Sequence, residues 1–245
     1  VVTTREGKNG TIYVDGVNEL EFATDENLAA GDIIIGRSYA SDFFNGTIDE
    51  VAVYNHSLTT AEIQQLYHRT WYDQTPQVFL LNPGHAEQLS NDTQNTTLLL
   101  HFDDGIGATT ANDSSPYLND GDLFSTAAFT NDSVSGGAII LDGDSDYVTG
   151  NVQLVGSYPF TLSAWMKTSN SDENTGVYLG DLSSDTTYYE TGIHLGKAHL
   201  AARNPDYYTK TSTATTYADG RWHQIVGVFE SDNSKKLYAD GKLLG

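Results

Sequence analysis

Apolar residues in this chain come in short runs, and nearly every run ends in Gly, Asn, Asp or Ser. Gly10–Val14, Asp32–Ile35, Leu98–Phe102, Ala138–Leu141, Phe160–Met166 and Gln224–Phe229 are of strand length. Between them stand Asp15-Gly16, Asn45-Gly46, Asp142-Gly143, Asp219-Gly220 and Asp240-Gly241, dipeptides that accept the positive φ of hairpin turns. This rhythm predicts an all-β, antiparallel sandwich with many tight turns. One helix interrupts it. Thr59-Thr60-Ala61-Glu62 is a capping box, with a hydroxyl at the N-cap and a carboxylate three residues on. Ile63, Leu66 and Tyr67 then form one apolar stripe, so a short amphipathic helix is expected to lie on the sandwich. Residues 71–97 carry two prolines and little alternation, and are expected to form a linker in which only Val78–Leu81 could make a strand.

The chain also repeats itself at its two ends. Thr11-Ile12-Tyr13-Val14-Asp15-Gly16 matches Lys236-Leu237-Tyr238-Ala239-Asp240-Gly241 at an offset of 225 residues. Each copy follows a β-rich run and a polar turn, so about 20 residues are represented twice.

Ordered motifs extend that observation. The first set is Leu99-Leu100-His101-Phe102-Asp103-Asp104-Gly105, then Asp113-Ser114-Ser115 with Asn119-Asp120-Gly121. Gly137–Gly143 with Asp146-Tyr147-Val148, Phe160–Lys167, Arg221–Phe229 and Leu237–Gly241 follow. In this order they make residues 98–245 resemble the front portion of laminin-G-like domains of the concanavalin A-like lectin/glucanase superfamily. Residues 1–70 resemble the back portion through Tyr13–Gly16, Ile35-Gly36, Phe44–Tyr54 and the helix through Tyr67. The resemblance implies a concanavalin A-like, jelly-roll β-sandwich in permuted order: 1–70 the C-terminal part, 71–97 a linker, 98–245 the N-terminal part. Two arrangements fit: a window on a tandem array, or one circularly permuted sandwich closed within a chain or between neighbours. A half-sandwich exposes strand edges that invite pairing, and head-to-tail completion need not close. An array or filament completed by identical or similar domains is therefore the expectation.

Composition narrows the partners. Against 33 acidic residues the chain has 12 basic ones, for a net charge of −21. Phosphate contacts need clustered Lys and Arg, which excludes nucleic acid and disfavours anionic membranes. No apolar stretch is long enough to span a bilayer, so membrane insertion is not expected. Cysteine is absent, which removes disulfides and thiolate metal sites. Asn-X-Ser/Thr sequons occur at Asn9, Asn45, Asn55, Asn91, Asn95, Asn112 and Asn131. They predict an N-glycosylated, extracellular or cell-surface protein, against the competing reading that Asn, Gly, Ser and Thr gather in β-turns.

Candidate chemistry is sparse. A retaining glycosidase of this superfamily needs two carboxylates about 5 Å apart. The nearest acidic groups, Glu19-Leu20-Glu21 and Asp49-Glu50, lack the spacing, so no catalytic residue is assigned. Asp142-Gly143-Asp144-Ser145-Asp146 is similar to the start of a calcium loop but lacks its later Gly and Glu, and reads as a turn. The resemblance instead implies a structural Ca2+ near Asp113, Asn119 and Asp120, with Asp49 approaching from the closing strand. The alternative is turn chemistry, since Asp and Asn cap their own backbone. Trp165 and Trp222 lie inside strand motifs and read as core, and His223 beside Trp222 as structural. Tyr178, Tyr188, Tyr189, Tyr207, Tyr208 and Tyr217 are either a contact surface or sheet-facing residues. The expected function is an extracellular structural or adhesive protein, with a glycan-binding module of a larger secreted protein as the alternative.

Overall fold

The computed structural model describes residues 2–6, 9–14, 17–23, 32–38, 42–72, 95–150, 154–155, 157–172, 175–180, 187–204 and 207–244. Three strands come first: β1 (Val2–Glu6), β2 (Asn9–Val14) and β3 (Val17–Ala23). β4 (Asp32–Ile35), β5 (Asn45–Tyr54) and α1 (Thr60–Tyr72) follow. Next are β6 (Thr96–Leu100), β7 (Thr110–Ala111), β8 (Gly121–Phe124), β9 (Ala128–Thr130), β10 (Ala138–Asp142) and β11 (Tyr147–Gly150). β12 (Phe160–Lys167), β13 (Val177–Gly180), β14 (Tyr188–His194), β15 (Lys197–Asn204) and β16 (Tyr207–Thr216) continue the chain. β17 (Trp222–Ser231), β18 (Ser234–Ala239) and β19 (Lys242–Leu243) complete it. The 71–97 linker lies mostly outside the described residues, Val78–Leu81 included. Its ends do not: α1 continues to Tyr72 and β6 begins at Thr96.

Two large antiparallel sheets face each other. One runs β19-β18-β17-β12-β5-β10-β9, with β6 also paired to β5, and the other runs β16-β15-β14-β13-β4-β11-β8-β7. Both early strands are interior. β5 lies between β12 and β10, with Ile48 opposite Met166 and Ile139. β4 lies between β13 and β11, with Ile35 opposite Val177 and Val148. The back and front portions thus close on each other within one chain as a circularly permuted sandwich. Strand pairing across more than 90 residues of sequence is what the permuted motif order required.

The main core fills the space between the sheets, with Phe44, Ile48, Phe160, Met166, Tyr189 and Phe229 among its residues. β12 is buried at all but its last residue, its polar Thr161 and Ser163 included. A second cluster explains this. Ala52, Tyr54, Leu58, Ile63, Val226, Val228 and Tyr238 pack on the outer face of the same sheet, where α1 lies. Trp165, 1 % exposed, turns to that side and stacks on Tyr67 with ring centres 5.4 Å apart. A strand covered on both faces is buried at successive residues.

The helix start behaves as its sequence dictates. Glu62 Oε2 accepts the Thr59 N–H at 2.7 Å, and the Glu62 N–H donates to Thr59 Oγ1 at 3.3 Å. Two of the helix's orphan groups are thereby satisfied reciprocally. Asp142-Gly143, Asp219-Gly220 and Asp240-Gly241 are turns, with positive φ at each glycine. Asn45-Gly46 is not a turn. It opens β5, and a Cβ on Gly46 would sit 2.2 Å from the Lys167 carbonyl oxygen of the neighbouring strand. Close backbone approach, not chain reversal, is the reason for glycine there.

β1, β2 and β3 form a sheet of their own, order β1-β2-β3, outside the two sandwich sheets.

Candidate functional site

Acidic residues cluster along the seam where β5 meets the later part of the chain. Asp49, 0 % exposed, accepts the Val134 and Ser135 N–H groups on Oδ2 at 2.8 and 3.1 Å and the Glu50 N–H on Oδ1 at 2.7 Å. It holds the 131–137 loop against β5. Burial pushes its carboxyl up to about 7, against the pull of the Ser135, Val134 and Glu50 N–H bonds toward the ionised form. Glu50 follows at φ +50°, where the pairing of β5 with β12 shifts between Ser163 and Trp165. This bulge turns the Glu50 side chain to His101, with Oε1 2.9 Å from Nδ1. That hydrogen bond raises the His101 pKa, overcoming the opposing effect of its burial. Asp49-Glu50 therefore ties two distant segments to the centre of the sheet.

The Asp113 loop is a second clamp. Leu99 and Ser115 N–H groups reach Asp113 Oδ1 at 2.8 Å each, while the Ser115 hydroxyl and Asn119 N–H reach Oδ2 at 2.6 and 2.8 Å. Asp120 Oδ1 accepts the Asp113 N–H at 2.9 Å, and the Asn119 amide donates to the Thr97 carbonyl at 2.9 Å. The structure thus brings Asp113, Asn119 and Asp120 together, as the Ca2+ expectation required. Their chemistry differs from it. A Ca2+ ion takes six to eight oxygen ligands with lone pairs turned inward. Here both Asp113 oxygens face N–H and O–H donors, and the partial positive charges of four donors oppose a cation. The arrangement fits a backbone clamp and does not fit the expected Ca2+ site. Asp49 does not join the cluster, since its oxygens serve the 134–135 loop and its own strand. Among the described residues, no three His, Asp or Glu side chains converge to hold a metal ion.

Asp142–Asp146 is the turn its sequence suggested. Asp142 Oδ1 accepts the Asp144 and Ser145 N–H groups at 2.8 and 3.2 Å, and Asp146 accepts the Thr126 N–H at 2.8 Å. The Asp144 N–H leads the set of hydrogen bonds that holds the Asp142 carboxyl below its ordinary value, against the opposing effect of burial. His223 is structural as expected. Its Nδ1 lies 2.9 Å from Asp240 Oδ2 and its Nε2 3.0 Å from Asp219 Oδ1, joining the turns before β17 and before β19. Burial lowers its pKa, but the two carboxylates more than offset this and leave it raised.

The six tyrosines divide by burial. Tyr178 and Tyr189 are core residues at 0 % and 3 % exposed, Tyr188 and Tyr217 are half-buried, and Tyr208 on β16 is exposed. The Tyr207 side chain lies outside the described residues. Trp222 is half-buried, with Lys167 Nζ 5.9 Å from its ring centre, so it is less enclosed than Trp165.

Of the sequons, Asn55, Asn95 and Asn131 are exposed beside or within turns. Asn45 and Asn112 are exposed too, but their amides are engaged. Asn45 Nδ2 donates to the Asp142 carbonyl at 2.5 Å, and Asn112 Nδ2 to Asp104. Asn9 lies on β2 with its side chain undescribed, and Asn91 lies outside the described residues. Sequence reasoning missed one buried pair, His199 Nε2 and Glu190 Oε1 at 3.1 Å between β14 and β15. Nothing in the local sequence distinguishes these residues from solvent-facing ones.

A family model of the concanavalin A-like lectin/glucanases superfamily, of the laminin-G type, matches residues 1–64 and 142–245, more than half of the chain. No curated protein and no solved structure matches it. Two facing antiparallel sheets, a helix on one outer face and this match agree, and the chain belongs to the laminin-G-type family of the concanavalin A-like lectin/glucanases superfamily.

Proposed function

We propose that the chain acts outside the cell as a non-catalytic structural or adhesive module that pairs head to tail with identical or similar sandwiches. The fold family is that of lectin-like and adhesive domains. The observation that carries the finer reading is the separate β1-β2-β3 sheet, a strand array beyond those the sandwich uses. Strand edges supply the means. β16 is a ten-residue edge strand paired on one side to β15 and exposed along most of its length. The net charge of −21 keeps copies from precipitating. Exposed sequons at Asn55, Asn95 and Asn131 support an exported glycoprotein. The non-catalytic reading is supported by the use of two buried carboxylates, Asp49 and Asp113, as acceptors for backbone N–H groups. The reading assigns no role to Ca2+.

Sedimentation and electron microscopy of the exported protein test this. Oligomers or fibres with a domain-sized repeat are expected, whereas monomers at every concentration would refute it. A glycan-binding module of a larger secreted protein is the second reading, favoured by exposed Tyr208 among the Thr and Ser residues of β16. Glycan-array binding that is lost in Tyr208→Ala would favour it over the first.

A further inference from the structure

The β1–β3 sheet repeats the strand pairing at the edge of the sandwich, apart from a bulge between Phe229 and Ser231 that β1 lacks. In β2 and β3, Tyr13 pairs with Asn18 and Val14 with Val17. In β18 and β19, Tyr238 pairs with Leu243 and Ala239 with Lys242, the same register shifted by 225. The hairpin before it matches as well. Val2 is opposite Tyr13, Thr3 opposite Ile12, Thr4 opposite Thr11 and Arg5 opposite Gly10. Val226 is opposite Tyr238, Gly227 opposite Leu237, Val228 opposite Lys236 and Phe229 opposite Lys235. Matched by their partners in the second strand, the first-strand residues correspond at an offset of 224, not 225, because Glu230 is the extra residue of the β17 bulge. The chain holds two copies of one three-stranded meander, and the sandwich has one place for it, along β12.

We propose that β1–β3 and β17–β19 are alternative occupants of the β12 edge, and that positions 5 and 229 assign it to β17–β19. The copies agree where the second strand meets the core: Ile12 stands at the position of Leu237, Tyr13 at Tyr238, Val14 at Ala239. They disagree in the first strand. Thr4 takes the position of Val228 and Arg5 that of Phe229. Phe229 is 0 % exposed, stacked on Phe160 at 4.7 Å and edge-on to Tyr189 at 5.5 Å. An arginine in that place would forfeit both aromatic contacts and leave a cation without a partner in an apolar core. Eight residues separate β3 from β4, enough at about 3.4 Å each to span some 30 Å. The Arg5/Phe229 difference is thus a specificity device: it keeps the sandwich in one frame and leaves β1–β3 unspent for other pairing.

The chain has no cysteine, so pairs can be introduced without competition. Val226 lies opposite Ser163 on β12, and Val2 is the register equivalent of Val226. The reporter Ser163→Cys with Val226→Cys reads β17 at the edge, and Ser163→Cys with Val2→Cys reads β1. In the otherwise wild-type chain the first reporter is expected to form an intrachain disulfide under mild oxidation and the second to keep free thiols. Adding Thr4→Val and Arg5→Phe leaves β17–β19 intact, so the fold is not at risk. In that background the Val2 reporter is expected to cross-link within the chain. Cross-linking to the same extent with and without these two changes would overturn the role of Arg5. No cross-link even with them would overturn the shared edge, and a disulfide-linked dimer would overturn its assignment to the chain's own β12.

Discussion

Replacing Asp113 by Ala removes the acceptor for four donors at once. The side chain is 4 % exposed and receives the N–H groups of Leu99, Ser115 and Asn119 and the Ser115 hydroxyl at 2.6 to 2.8 Å. A hydrogen bond to a charged group contributes about 1.5–3 kcal/mol, and an orphaned buried donor costs about 1–3 kcal/mol. The four are not additive, because Asn119 is half-buried and water can reach part of the cavity. A loss of about 3–5 kcal/mol is expected, at the upper end of single substitutions. In a chain of this size that lowers Tm by roughly 6–20 °C. Asp113→Asn keeps one acceptor oxygen but turns its NH2 toward two donors, so about half of that loss is expected. Urea unfolding followed by the fluorescence of buried Trp165 measures both. The titrations are run in EGTA and in millimolar Ca2+. Wild type is expected to unfold at the same midpoint in each, and both variants at lower midpoints independent of Ca2+. A Ca2+-dependent gain in wild type that disappears in Asp113→Ala would falsify the clamp and restore a metal site.

Stability should fall as pH rises from 5 to 8. His101 and His223 have raised folded values, so their contributions are complete below the unfolded value of about 6.5 and vanish as pH climbs through the folded one. Asp49, raised to about 7, binds its proton more tightly when folded and works in the same direction between about 4 and 7. Chemical denaturation across that range is expected to show the decline, and a flatter one in His223→Gln, which loses the Asp219 and Asp240 contacts. Gly46→Ala drives a methyl to 2.2 Å from the Lys167 carbonyl of β12, an atom held in the sheet, so a loss of about 3 kcal/mol or more is expected in the same assay. Peptide mapping of exported protein should find glycans at Asn55, Asn95 and Asn131, and little at Asn45, whose amide is bound to the Asp142 carbonyl. Full occupancy at Asn45 would contradict the seam geometry.

Local chemistry was legible in the residues themselves. Asp32–Ile35 forms a strand with the predicted bounds, Thr59 and Glu62 cap α1 reciprocally, and the Asp-Gly turns at 142, 219 and 240 take positive φ. Each depends on interactions within a few residues, where side-chain type alone sets the preferred backbone. The permuted order and the 225-residue repeat were legible as well, because they are properties of the string. What tertiary structure decided is where distant segments meet. Asn45-Gly46 has the composition of a turn, yet it opens a central strand because β10 and β12 flank it. Asp113 has the composition of a cation ligand, yet Leu99, fourteen residues earlier, and Asn119, six later, turn donors toward its oxygens. Tyr178 and Tyr208 look alike in sequence, yet one is sealed in the core and the other exposed on an edge strand. Burial and hydrogen-bond partners are set by which strands close the sheets, a long-range outcome that no short window of residues contains.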